Sequence, residues 1–118
     1  MKDKRRFKRF PVELDAKYSL EINQKEWKTC KVVNVGREGM GIEVHLQEKF
    51  QTGSLLKIEL LVPPRDEPVK AVGILRWIKD LVEEKCFLGG VQFTEIDPED
   101  TWMLLDYAYN QWLGNQKM

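Results

Sequence analysis

Arg5 and Arg9 stand as R-x-x-x-R near the start of the chain. Their planar guanidinium forks match phosphate oxygens, or the O6 and N7 edge of guanine, bidentately. Lys2, Lys4, Arg6 and Lys8 accompany them, so residues 1–9 carry strong positive charge against Asp3 alone. The second stretch with chemical promise is Asn34-Val35-Gly36-Arg37-Glu38-Gly39-Met40-Gly41. Its glycines imply backbone that other residues resist, since glycine reaches positive φ at little steric cost. Each stretch has a plain reading of its own, the arm as a solubilising tail and the glycine stretch as a tight turn. Together they describe a two-part ligand site in which the arm folds back onto the turn.

Catalysis has little support. His45 is the single histidine, and the chain has neither a serine in an elbow sequence nor a glycine-rich loop leading to a lysine and a hydroxyl residue. The adjacent Glu83 and Glu84 read as a solvated surface. Cys30 and Cys86 are far apart and form no C-x-x-C pair, which favours two free thiols on separate strands. With one histidine, soft ligands are too few to expect a zinc site, and neither a metal nor a cofactor is expected. The reading is therefore a binding module and not an enzyme.

The formal net charge of zero provides no global field to attract nucleic acid or an anionic membrane, so electrostatic recognition must be local. Acidic residues gather at the other end, with Glu95, Asp97, Glu99, Asp100 and Asp106 in a stretch without lysine or arginine. The basic start is followed by Phe10-Pro11-Val12-Glu13-Leu14-Asp15, with no apolar run of the kind an export signal needs. No segment is long and apolar enough to span a bilayer, so membrane insertion is not expected and a cytoplasmic protein is.

The elements that must position these residues follow from periodicity. Val12, Leu14, Ala16, Tyr18, Leu20 and Ile22 alternate with polar residues, the pattern of a half-buried strand. A turn at 23–25 leads to a strand over 26–33, then the glycine turn, then a strand with Met40, Ile42, Val44 and Leu46 on one face. After a polar connection at 47–54, Leu56, Ile58, Leu60 and Val62 alternate until Pro63-Pro64, where the ladder loses its donors. The stretch 69–79 has apolar residues in both parities, which predicts cover on both faces. A sixth strand spans 86–93. The period then changes: Asp97 suits an N-cap, Pro98 the first helical position, and Glu99 and Asp100 the positive end of the dipole. Trp102, Leu105, Tyr109 and Trp112 recur at helical spacing, and Gly114 is expected to stop the helix. Trp102 and Trp112 read as packing residues. The prediction is a mainly β protein, a six-stranded antiparallel barrel over 11–96 with a helix over 97–114 packed on it and a basic arm, mobile when alone, at 1–10.

With these motifs in this order, the sequence resembles the PilZ domain family, whose signature is R-x-x-x-R followed downstream by [D/N]-x-S-x-x-G. Arg5-Arg6-Phe7-Lys8-Arg9 and Asn34-Val35-Gly36-Arg37-Glu38-Gly39 occupy those places. Val72-Gly73-Ile74-Leu75-Arg76-Trp77 and Leu88-Gly89-Gly90-Val91-Gln92-Phe93 extend the similarity. The resemblance implies a bacterial receptor for cyclic di-GMP, a second messenger with two phosphates and two guanines, that changes conformation and signals to an effector protein. Motility, biofilm formation and polysaccharide synthesis are processes such a receptor would control, as a monomer or homodimer. By analogy Arg5 and Arg9 would clamp phosphate and guanine, Asn34 would meet a guanine edge, and Gly39 would keep the turn in shape. Lys4, Arg6, Arg37 and Trp77 are secondary contacts in this reading, Trp77 being either a base-stacking residue or part of the core. Gly36 departs from the pattern, standing where the family has serine. One neutral hydrogen bond is worth roughly 0.5–1.5 kcal/mol net, up to about tenfold in affinity. Two other readings compete: a degenerate PilZ-like interaction module that has lost the nucleotide, and a barrel binding single-stranded nucleic acid, which the neutral charge disfavours. No DNA or RNA partner is expected.

Overall fold

The computed structural model describes residues 9–20, 26–45 and 51–116. Lys4, Arg5 and Arg6, the turn expected at 23–25, and residues 47–50 of the connection expected at 47–54 lie outside the described residues. Among the described residues six strands are present: β1 (Phe10–Leu20), β2 (Lys28–Val35), β3 (Gly39–Val44), β4 (Leu55–Leu60), β5 (Val69–Leu81) and β6 (Cys86–Ile96). All pair antiparallel in the order β1-β2-β3-β6-β5-β4, and β4 returns to β1 to close the barrel. Closure leaves no sheet edge to be protected. The predicted architecture of six antiparallel strands and a terminal helix is the one observed.

Alternation decides what fills the barrel. Val12, Leu14, Ala16 and Tyr18 of β1 point inward while Glu13, Asp15 and Lys17 face water. Val32, Met40, Ile42, Leu60, Leu75 and Val91 are at most 1% exposed and come from five different strands, so removing any one opens a cavity shared by several. Burying a side chain of this size contributes about 1.5–3 kcal/mol.

β5 departs from the expectation of cover on both faces. Val69, Ala71 and Leu75 are buried, but Val72, Ile74 and Ile78 are only half-buried and Trp77 is exposed. A register shift against β6 falls between Leu75 and Trp77. The extra residue of such a bulge breaks the strict alternation, and Arg76 and Trp77 both end on the outside.

α1 (Pro98–Gln116) begins as expected. The Asp97 carboxylate accepts a hydrogen bond from the Glu99 N–H at 2.8 Å, and its carbonyl accepts the first helical bond, from Thr101, at 3.0 Å. The helix packs against β1 and β2 through Leu104 and Ala108, both fully buried. Arg65, from the β4–β5 loop, ties it down through Asp100 at 2.9 Å. Two expectations fail here. Trp102 is 66% exposed and no core residue, because the buried stripe runs through Leu104 and Ala108 and leaves Trp102 on another face. The helix also continues through Gly114, which is exposed with open space around it. Glycine lowers helix propensity by about 1 kcal/mol but does not by itself terminate a helix already nucleated and packed.

Candidate ligand-binding face

The strand register carries the turn residues and Arg9 to one place. Phe10 pairs with Val35 and Pro11 with Asn34, so Arg9 enters β1 beside the start of the glycine turn. Its Nη1 donates to Asn34 Oδ1 at 3.1 Å. One residue of each motif, 25 apart in sequence, is therefore in direct contact with the other.

Across the outside of the barrel, Asn34 on β2 pairs with Gly41 on β3, Gly41 with Gly90 on β6, and Gly90 with Trp77 on β5. The adjacent row, Val35, Met40, Val91 and Leu75, points inward and is buried, which fixes the first row as outward. Two glycines in the middle of the outward row leave a trough floored by backbone. Asn34 and Trp77 lean over it from either side: a Cβ on Gly41 would be 2.5 Å from Asn34 Nδ2, and one on Gly90 would be 1.9 Å from Trp77 Nε1. One row further along, Gly39 pairs with Gln92, whose Oε1 accepts from Arg76 Nε at 2.6 Å. The face thus carries guanidinium groups, an amide and a flat indole around a glycine floor, an arrangement suited to anionic oxygens and planar heterocycles.

Within the turn, the Gly36 N–H donates to the Gly39 carbonyl at 2.8 Å, and the Glu38 carbonyl accepts from Phe93 N–H at 2.7 Å, pinning the turn to β6. The glycines are required for a reason other than the one expected. Among the described glycines only Gly53 has φ in the left-handed region. Gly39 is demanded by close approach: a Cβ there would lie 2.1 Å from the Val91 carbonyl oxygen and 3.2 Å from Arg9 Nη2.

Of the residues singled out from sequence, Arg9, Asn34 and Gly39 are brought together, and Gly36 closes the turn beside them. Arg37 is exposed, with its guanidinium carbon 5.8 Å from the centre of the Trp102 ring, so it links the turn to α1. Trp77 is 42% exposed, against its reading as core, because the β5 bulge turns it outward over Gly90. Arg5, Lys4 and Arg6 lie outside the described residues. Gly41 belonged to the glycine stretch singled out from sequence, whereas Gly90, Arg76 and Gln92 were not anticipated as part of this face, since only cross-strand register aligns them. A groove of about 760 Å³ lined by Trp27, Lys57, Lys70 and Asp97 shares no residue with the row.

The PilZ domain model matches residues 3–110, nearly the whole chain, and spans both motif stretches and the helix as far as residue 110. The chain belongs to the PilZ domain family. The fold of this PilZ domain recurs in the Bacillus subtilis inhibitor of motility MotI/DgrA, at 19% identity and a TM-score of 0.78 over 96% of this chain and 53% of that one. It recurs in the PilZ domain of Escherichia coli YcgR, determined with cyclic di-GMP, at 14% identity and a TM-score of 0.70 over 92% and 91% of the two chains. The Klebsiella pneumoniae MrkH–cyclic di-GMP complex is similar at 11% identity, a TM-score of 0.75, and 98% and 56% coverage. The chain thus spans about half the length of MotI and MrkH. No curated protein is a sequence match. PilZ domains are binding and receptor modules, and among the described residues of this one no helix is long and apolar enough to cross a membrane.

Proposed function

We propose that this PilZ domain binds cyclic di-GMP on the β2-β3-β6-β5 face and passes its bound state to a protein partner. The observation that carries this is the hydrogen bond from Arg9 to Asn34, which assembles the two motif halves over a glycine floor. In this reading Arg9 and Arg5 hold phosphate and guanine, with Lys4 and Arg6 adding charge as the arm orders over the ligand. Asn34 Oδ1 has a second lone pair, so it can retain Arg9 and still accept from a guanine N–H. Trp77, flat over Gly90, offers a surface for a base to stack on. Arg37 lies between the turn and Trp102, so ligand phosphate competing for its guanidinium would loosen α1 from the turn and supply the outgoing signal.

Gly36 motivates a second reading, a module that works through protein contacts alone. Titration of the full chain with cyclic di-GMP by calorimetry separates the two, with folding verified by circular dichroism. Heat that disappears in Arg9→Ala supports the receptor. No heat up to about 100 µM ligand, a limit near 5.5 kcal/mol of binding free energy, favours the nucleotide-independent module. Partner capture indifferent to nucleotide would point the same way.

A further inference from the structure

A different set of donor atoms lies on the same barrel wall, toward the end of β3 remote from the glycine turn. Glu43 and His45 point outward, since Ile42 and Val44 alternate with them and fill the core. Glu43 pairs with Leu88 and Val44 with Phe87, and one more step of that register sets His45 opposite Cys86, the first residue of β6. The short 3-10 helix Val82–Glu84 precedes Cys86, and Lys85, at φ 55°, turns the chain into the strand. Cys86 is 2% exposed despite its outward register. His45 Nε2 is 2.5 Å from Glu43 Oε1, Cys86 Sγ is 3.9 Å from Glu84 Oε2, and the donor atoms of Glu43, His45 and Cys86 all lie within 4.8 Å of one another.

We propose that Glu43, His45 and Cys86 form a binding site for a divalent transition-metal ion of the zinc type, with the fourth position open to water. Imidazole nitrogen, thiolate sulfur and carboxylate oxygen are the three donor types zinc takes, and the proposal needs no residue of a kind that is missing. A tetrahedral ion with bonds of about 2.0–2.3 Å sets its donors about 3.4–3.6 Å apart, so the 2.5 Å His45–Glu43 pair opens by about 1 Å and the wider separations close by a similar amount on strands that stay fixed. His45 is exposed and gives the ion a route from solvent, while Cys86 anchors the floor. When sulfur binds, the thiol proton leaves to solvent. The residues are separated as 43, 45 and 86, which is why a search for sequence-local ligand pairs does not find them. The site shares no residue with the proposed nucleotide face, and its case is independent of that reading.

Cobalt(II) is the probe, because thiolate coordination to it produces a sulfur-to-metal charge-transfer absorption. The full chain, stripped with chelator, is titrated with cobalt and then with zinc. The expected result is a charge-transfer band that saturates at equimolar cobalt and is lost on adding zinc. Cys86→Ser should remove the band, and His45→Ala, a surface change that leaves the fold intact, should weaken cobalt binding by more than about tenfold. Absence of the band in the parent protein would overturn the proposal, as would equal cobalt affinity in His45→Ala. A band that persists in Cys86→Ser would assign the thiolate to Cys30 and overturn it equally.

Discussion

Gly41→Ala tests the role of Asn34 without substituting Asn34 or any residue of the arm. The new methyl would lie 2.5 Å from Asn34 Nδ2 and 2.9 Å from both Cγ and Oδ1. Non-bonded carbon contacts are comfortable at about 3.5 Å or more, so the amide must retreat by about 1 Å. A shift of that size away from the guanidinium takes Oδ1 from 3.1 Å to about 4 Å from Arg9 Nη1, beyond hydrogen-bond range. A hydrogen bond with a charged partner is worth about 1.5–3 kcal/mol, so a ligand that needs the pair aligned should bind about ten- to a hundredfold more weakly. The obstacle is the end of a half-buried side chain, which can swing aside, so the barrel should still fold. Gly39 makes a poorer test because the obstacle there is the Val91 carbonyl, and backbone cannot yield in the same way. Calorimetry with cyclic di-GMP reads affinity, and urea unfolding reads stability. A Gly41→Ala protein that folds normally and binds within about twofold of the parent would refute the placement of Asn34 in the site.

Gly36→Ser restores the hydroxyl of the family pattern at a position outside the left-handed region, and cyclic di-GMP affinity should be unchanged or up to about tenfold higher by calorimetry. A marked loss would show that the turn relies on the missing side chain. Burial pushes the Cys30 thiol from 9.0 up to about 12. Its folded pKa lies above its unfolded value, so its contribution to stability is complete below about pH 9 and is lost as pH rises toward 12. Urea midpoints measured across that window should fall more steeply for the parent than for Cys30→Ala, and parallel curves would contradict the assignment.

Much of the fold was legible because alternation records which face of each strand is wet. β1 shows this most plainly, with Val12, Leu14, Ala16 and Tyr18 inward and the charged residues between them outward. The pairing of Arg9 with Asn34 was legible only as two motifs, since contact across 25 residues depends on register. Trp77 was ambiguous because parity predicts its face only until a bulge intervenes, and a bulge leaves no mark in composition. The glycines were noticed for the wrong property. Gly39 and Gly41 are set by what stands against them, the Val91 carbonyl and the Asn34 amide, and a sequence does not display neighbours across a ladder. Trp102 was misplaced because an aromatic stripe at helical spacing fixes a face of the helix without saying which face meets the barrel.

The central claim is that the arm and the glycine turn form one cyclic di-GMP site, and a paired calorimetric titration of the parent chain and Arg9→Ala tests it most directly. The account predicts saturable heat for the parent and none for Arg9→Ala, with both proteins folded. Equal binding by the two proteins, or none by the parent, would contradict it.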